Sequence, residues 1–287
     1  MEHYDILIIG GGAAGIAAAK ACSGARVLLA DRKGELGGVL LQCAHRGFGK
    51  NKTGVEYAGK LRKDFPETVE LALNTTVLYV SENKTALLSG KDYGRREVSF
   101  SQLILATGCR EVPRGALNIG GTRPKGVYTA GQMQELMNLH GYLPEGPVVI
   151  LGSGDLGLIM ARQLAQAGLS VTMVEKGRYC GGMLRNQRCL EEYPIGLILS
   201  DTIVRIHGEK TISACTTKNG EYLPCKTLLI AVGLRPERSL TDHLGSPDWL
   251  HLCGNCHLVH PMVEAVVQEG KLAGMAAMKQ VRLGYDR

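Results

Sequence analysis

Asp5-Ile6-Leu7-Ile8-Ile9-Gly10-Gly11-Gly12-Ala13-Ala14-Gly15 is a short apolar run that breaks into spaced glycines and then into an alanine-rich segment. The run is rich in Ile and does not alternate, the pattern of a strand buried on both faces. Ile16 to Cys22 has helical propensity, and Arg26 to Ala30 reads as a second buried strand ending at Asp31. Each part has a physical task. Gly10 permits a tight turn, Gly12 lets a pyrophosphate approach bare backbone, and Gly15 lets the helix lie close to the sheet. Free N–H groups at the helix start, with the helix dipole, favour phosphate charge. Asp31 stands where an acid accepts hydrogen bonds from a ribose diol, about twenty residues on. Spaced glycines alone are weak evidence. With strand, helix and acid in place, the segment reads as a dinucleotide site and not as a mere glycine turn.

The unit recurs. Pro147 to Leu151 is strand-like, Gly152-Ser153-Gly154-Asp155-Leu156-Gly157 is a second phosphate turn, and Leu158 to Ala167 reads as helix with Gly168 as its stop. Ser170 to Val174 is the next strand, closed by Glu175. Two such starts imply two dinucleotide sites, against the reading that one alone works. An acid at position 175 bonds a free 2′-hydroxyl and repels a 2′-phosphate, so NAD(H) is expected over NADP(H). Lys176 and Arg178 follow closely and soften that preference.

Composition narrows the class. The 287 residues are 45% hydrophobic and 21% charged, an ordinary balance for a globular protein. The formal charge is +6, but its basic residues are dispersed; Arg95-Arg96 and the stretch Lys60 to Lys63 lack interleaved aromatics. They read as solvated faces, so no nucleic-acid partner is expected. No apolar run reaches the ~18 residues of a membrane helix, and no signal-peptide pattern is present. The nine cysteines are odd in number and scattered, which fits a reducing cytoplasm better than a disulfide framework.

Further motifs carry a resemblance. Thr75-Thr76-Val77, Leu103-Ile104-Leu105-Ala106-Thr107-Gly108, Leu228 to Gly233 and Cys253-Gly254-Asn255 are similar to segments of the two-dinucleotide-binding flavoproteins, the superfamily of glutathione and thioredoxin reductases. The resemblance spans nearly the whole chain. It implies an α/β protein of two Rossmann-like domains, with an NAD domain (115–245) inserted in a discontinuous FAD domain (1–114 and 246–287). It implies FAD contacts at Gly10, Gly12, Ala13, Ala14, Gly15, Asp31, Arg32, Gly38, Gln42, Val77, Ala106, Thr107, Gly108, Gly254 and Asn255. Nicotinamide-dinucleotide contacts are implied at Gly152, Gly154, Asp155, Leu156, Gly157, Glu175, Lys176, Val232 and Gly233. Pro261 suits the first turn of a last helix from about Val263 to Met278. The stretch from Gly37 to Gly49, with Ala106 to Glu111 and Tyr128 to Gly131, resembles a narrower subgroup. Its members are similar to subunits of anaerobic glycerol-3-phosphate dehydrogenase and of amino-acid or opine dehydrogenase complexes. Two departures stand out: the chain is short between Leu234 and Cys253, and Asn255 replaces an Asp.

Disulfide reductases of this superfamily use a cysteine pair, either after the first Gly-Gly or in the NAD domain near Tyr128 to Met133. The matching places hold Leu40 and His45 in the first case and no CxxC in the second. A dithiol relay needs two thiols in reach of each other, so ordinary disulfide reduction is not expected. Cys253 and Cys256 do form a CxxC; they read as buried small residues, against a redox pair with a dipole-lowered thiol pKa. His257 and His260 read as polar residues leading into the helix, and no metal is expected. By resemblance the loop of Cys43 and His45 lies near the flavin ring, which makes them candidate catalytic side chains against purely structural roles. Asp155 is expected either to leave the nicotinamide pocket open or to bond the nicotinamide amide. The expectation is an FAD-dependent NAD(P)H oxidoreductase exchanging electrons with a partner subunit or acceptor, with a homodimer compatible. The alternatives are a thiol-redox enzyme using Cys253 and Cys256, or a dinucleotide-binding sensor or assembly subunit without turnover. The sequence leaves the small-molecule substrate open.

Overall fold

Ile and Leu strands buried on both faces need neighbours on both edges and cover above and below. A computed structural model, which describes residues 1–285, provides both. β1 (Glu2–Ile9) pairs in parallel with β2 (Val27–Ala30), and β2 with β3 (Val69–Ala72). β4 (Thr75–Val80) and β5 (Thr85–Gly90) form an antiparallel meander that leads into the long β6 (Gly94–Leu105). The far half of β6 pairs in parallel with the other edge of β1, and the short strand Leu250–Leu252 pairs with the same end of β6.

The two sides of this sheet are covered differently. Ile6, Ile8, Val27, Leu29 and Ile104 face α1 (Ala13–Ala21) and the last helix, Val263–Tyr285. Leu7, Ile9, Leu28, Leu103 and Leu105 face the opposite way, onto Val77, Val80, Leu88 and Phe100. The two helices approach backbone to backbone: a Cβ at Gly270 would lie 2.2 Å from the Ala14 carbonyl oxygen, and one at Gly274 would lie 2.5 Å from that of Ala18. The alanine-rich face of α1 follows from that approach, since larger side chains would hold the helices apart. α2 (Gly54–Arg62) starts at a capping box: the Glu56 N–H donates to the Thr53 hydroxyl (3.2 Å), and the Thr53 N–H donates to the Glu56 carboxylate (2.8 Å).

The second unit repeats the plan. β7 (Val127–Thr129) runs into α3 (Ala130–His140), β8 (Val148–Leu151) into α4 (Asp155–Gln166), and β9 (Val171–Val174) precedes β10 (Ile195–Ile198). An antiparallel layer of β11 (Ile203–His207), β12 (Ala214–Thr217) and β13 (Tyr222–Pro224) intervenes before β14 (Thr227–Ile230). The parallel sheet has the order β7-β14-β8-β9-β10. Val148, Ile150, Met173 and Leu229 face α3 and α4, while Val149, Leu151, Val174 and Leu228 face the antiparallel layer.

The chain divides into two compact units: Met1–Arg110 with the residues from Arg235 onward, and Glu111–Leu234. The return to the first unit falls at 234/235, earlier than position 246 where the motifs suggest it. The reason is packing. Leu240 and Leu244 lie against the Phe100 side of the first sheet, and His243 Nε2 is 3.0 Å from the Val80 carbonyl oxygen. The first crossing falls at 110/111 instead of 114/115. Glu111 is bound into the second unit, where its carboxylate accepts from the Thr129 hydroxyl and from the Gly131 N–H (2.8 Å) at the start of α3.

Candidate functional site

Both phosphate turns have the same internal logic. Gly10 has φ +107°, and a Cβ there would lie 2.4 Å from the Ala106 carbonyl oxygen; a Cβ at Gly15 would lie 1.8 Å from that of Gly10. In the second unit Gly152 has φ +103° and would meet the Ala231 carbonyl at 2.4 Å, and Gly157 would meet that of Gly152 at 2.5 Å. The middle glycines behave differently. A Cβ at Gly12 meets nothing nearer than Gly38 Cα at 4.0 Å, and one at Gly154 meets nothing within 4 Å. Backbone here is bare toward open space and not toward the protein. Gly12 and Gly154 are also the N-cap residues of α1 and α4, and neither supplies a side-chain cap. The first-turn N–H groups therefore keep the free donors that an anion needs. The helices begin at Ala13 and Asp155, so the tail of each glycine motif is already helical.

The acids close each turn. Asp31 Oδ2 accepts from the Gly11 N–H (2.5 Å), and its Oδ1 accepts from the Lys33 N–H (2.7 Å). Glu175 Oε2 accepts from the Ser153 N–H (2.8 Å) and hydroxyl (2.7 Å), and its Oε1 from the Gly177 N–H (2.7 Å). Burial opposes ionisation of Glu175, but the donors from Gly177, Ser153 and Lys176 outweigh it and hold its pKa below the usual carboxylate value.

The second unit holds a cavity of about 660 Å³ in front of its turn. Of the residues implied by the sequence, Gly152, Gly154, Glu175, Lys176, Val232 and Gly233 line it, with Leu117, Ile119 and Val204 on another wall. Asp155, Leu156 and Gly157 do not line it; they form the first turn of α4. The Asp155 carboxylate is engaged within the second unit. Its Oδ1 accepts from the Met183 N–H (2.7 Å) and the Asn186 amide (2.6 Å), while the Ser153 hydroxyl accepts from the Gly181 N–H (2.8 Å). Ser153 and Asp155 thus tie the segment from Gly181 to Asn186 to the phosphate turn. Sequence reasoning missed this tie. Its signal is present nonetheless: Gly181-Gly182 follows Glu175 at the spacing at which Gly37-Gly38 follows Asp31.

In the first unit Gly38 lies against Gly12, and Gln42 is buried. Ala106 supplies the carbonyl against Gly10, and the Thr107 hydroxyl donates to the Glu237 carbonyl (2.5 Å). Gly108 accepts from the Glu237 N–H (3.0 Å) through its carbonyl, whereas the Val77 side chain belongs to the core. Arg32 is exposed. Cys43 is buried and donates to the Val39 carbonyl (3.3 Å), and burial pushes its thiol pKa up to about 12. His45 is half-buried with its ring 5.1 Å from that of Phe48.

The shortened connection still delivers its strand. Leu250–Leu252 continues through the Cys253 N–H onto the Leu105 carbonyl (3.1 Å). The Cys253 and Cys256 thiols also donate to that carbonyl, at 3.7 and 2.9 Å, and both residues have no exposed surface. Burial raises both thiol pKa values instead of the helix dipole lowering them. Two protonated donors inside the core are not an attackable pair, which argues against the thiol-redox alternative. Gly254 follows with φ +65°, and a Cβ there would lie 2.8 Å from that of Ala14. The loop is gathered around a residue that the sequence did not single out. Glu269 Oε2 accepts from the Gly254 N–H (2.8 Å), and its Oε1 lies 2.9 Å from His257 Nδ1. His260 Nε2 lies 3.0 Å from Oε2, an ion-pair distance without the alignment of a hydrogen bond. The His260 N–H in turn donates to Asn255 Oδ1 (3.0 Å).

Two uncapped helix starts behind bare glycines, each backed by a bound acid on a parallel sheet, are the arrangement expected of a two-site dinucleotide-binding protein. The sequence profile of the pyridine nucleotide-disulphide oxidoreductases matches residues 4–247, and the chain belongs to that family, one of FAD-dependent NAD(P)H oxidoreductases. An opine oxidase subunit of Agrobacterium tumefaciens (strain Ach5) is 31% identical, over 85% of this chain and 55% of that protein. Hydrogen cyanide synthase subunit HcnB of Pseudomonas aeruginosa is 34% identical, over 83% of this chain and 59% of that protein. The chain thus spans little more than half the length of these relatives. The crystal structure of Lactococcus lactis thioredoxin reductase superposes with a TM-score of 0.79 at 22% identity, covering 98% of this chain and 99% of that one, a likeness of fold. Among the described residues no helix is long and apolar enough to cross a membrane.

Proposed function

We propose that the chain is the FAD- and NAD(H)-binding oxidoreductase subunit of a dehydrogenase complex. The observation that carries this reading is the doubled turn: each unit presents an unobstructed middle glycine at an uncapped helix start, with an acid bound behind it. The first unit would hold FAD through Gly10, Gly12, Gly15, Asp31, Gly38, Thr107, Gly254 and Asn255. The second would hold the nicotinamide dinucleotide in the cavity before Gly154, with Glu175 and Lys176 at its edge. When bound, these cofactors supply the hydride chemistry between nicotinamide and flavin. The chain's residues would bind and orient them, with the helix N–H groups toward the pyrophosphates and the acids toward the ribose hydroxyls.

NAD(H) is favoured over NADP(H) by the ionised Glu175 beside the cavity, which a 2′-phosphate would have to approach. The names of the relatives, subunits of an opine oxidase and of a hydrogen cyanide synthase, favour a partner protein that receives or supplies electrons. The first of these names favours an opine over glycerol 3-phosphate as the type of substrate. Nine cysteines, with no disulfide among the described residues, favour a cytoplasmic protein. Anaerobic mixing of the purified flavoprotein with NADH tests the central point. Bleaching of the flavin's blue absorbance band, faster with NADH than with NADPH, is expected. Binding of NADH without bleaching by either nucleotide would identify a non-catalytic binding module and sink the proposal.

A further inference from the structure

Glu269 is a half-buried carboxylate on the last helix that serves no core contact, yet three groups of one loop converge on it: the Gly254 N–H (2.8 Å), His257 Nδ1 (2.9 Å) and His260 Nε2 (3.0 Å). The same loop carries Asn255, whose Oδ1 accepts from the His260 N–H (3.0 Å) and whose amide lies 3.7 Å from the Cys109 thiol. The neighbour of Glu269 is Gly270, the point of closest approach to α1, where a Cβ would lie 2.2 Å from the Ala14 carbonyl. Gly254 itself rests on the Ala14 side chain. One carboxylate therefore links three parts of the first unit: the last helix, the loop of residues 254–260, and the phosphate-binding start of α1. A second acid of the same helix acts on the other flank, since Glu264 accepts from the Gly49 N–H (3.0 Å) at the end of the Gly-Gly loop.

We infer that Glu269 is the positioning residue of the FAD site, holding Gly254 and Asn255 in register with the first turn of α1. The inference rests on the reading of the first unit as the FAD site. A carboxylate so close to a phosphate-binding turn would by itself repel the cofactor. The Gly254 N–H on one oxygen, with the His257 ring at the other, disperses that charge and leaves the turn's own donors for the phosphates. Asn255 is placed through its Oδ1, which accepts from the His260 N–H, a bond that needs no charge.

The test compares wild type, Glu269→Ala and Glu269→Gln, each stripped of flavin and titrated with FAD, together with amide hydrogen exchange of the flavin-free proteins. Glu269→Ala is expected to weaken FAD binding about tenfold or more, the scale of a lost hydrogen bond to a charged group. It is also expected to speed exchange across 253–260 while leaving 4–9 and 27–30, in the core of the same unit, unchanged. Glu269→Gln keeps an acceptor for the Gly254 N–H and is expected to recover most of the affinity. If the Ala variant loses protection in 4–9 and 27–30 as well, its first unit has unfolded, and the Gln variant carries the test: an affinity measurably below wild type with those strands still protected supports the inference, and affinity and exchange equal to wild type overturn it. FAD affinity of the folded Ala variant within about twofold of wild type overturns it too, even where exchange in 253–260 rises, because Glu269 would then be a structural tie alone. Wild-type protein that takes up no FAD overturns the cofactor reading itself, and this inference with it.

Discussion

At the scale of single residues, the glycines of each turn divide by what they face. Gly15 meets backbone, so a methyl group there must push Gly10 or α1 aside, and overpacking of this kind costs about 1–3 kcal/mol. Gly12 meets open space with φ −77°, a conformation alanine adopts freely. Gly15→Ala is therefore expected to lower the melting temperature of the flavin-free protein, and Gly12→Ala to leave it nearly unchanged. FAD titration should reverse the ranking for Gly12→Ala, whose fold survives while its affinity falls. Equal melting temperatures for the two variants would refute the division. The spacing of these glycines was legible in the sequence because Gly15 and Gly157 pack on Gly10 and Gly152 five residues earlier, whereas the Ala106 and Ala231 carbonyls against Gly10 and Gly152 are distant in the chain. Glu269 was not legible: its partners Gly254, His257 and His260 lie nine to fifteen residues back, at no helical or strand period. The thiols of Cys253 and Cys256 were read as small buried residues, and their common acceptor, the Leu105 carbonyl, is distant in the chain.

At the scale of elements, the strands β1, β2, β8 and β9 lie within a few residues of where their apolar runs suggest. Helix starts lie earlier than the composition suggests, because Ala13-Ala14-Gly15 and Asp155-Leu156-Gly157 are at once phosphate turn and first helical turn. The last helix runs past Met278 to Tyr285, continuing with Ala277, Met278 and Val281 against α1 and the first sheet. Its contact with α1 depends on two glycines a turn apart. Gly270→Val brings branched carbons onto the Ala14 carbonyl and is expected to destabilise the first unit by about 2 kcal/mol or more. Urea unfolding of the flavin-free protein measures this, and an unchanged midpoint would show that the helices separate without cost. Because Glu269 is adjacent, FAD affinity should fall in the same variant.

At the scale of the whole molecule, one plan is used twice and then modified. Both units place a parallel sheet behind a glycine turn, and both send a Gly-Gly segment back to that turn after the acid. The modifications lie in the cover: the first unit uses α1 with the last helix, and the second uses α3 and α4 with an antiparallel layer. The unit boundaries were only partly legible, since Leu240, His243 and Leu244 join the first unit by contacts that no local motif signals. The burial of Cys253 and Cys256 gives the molecule an internal clock. Water-borne thiol reagents meet half-buried Cys109 and Cys180 in the native state, but they reach Cys253 and Cys256 only through an opening of the structure around Leu250–Leu252, which pairs with β6 just before them. The trapping rate of those two sulfurs, followed by mass, therefore times that opening without any engineered label, and cofactor binding there should slow it.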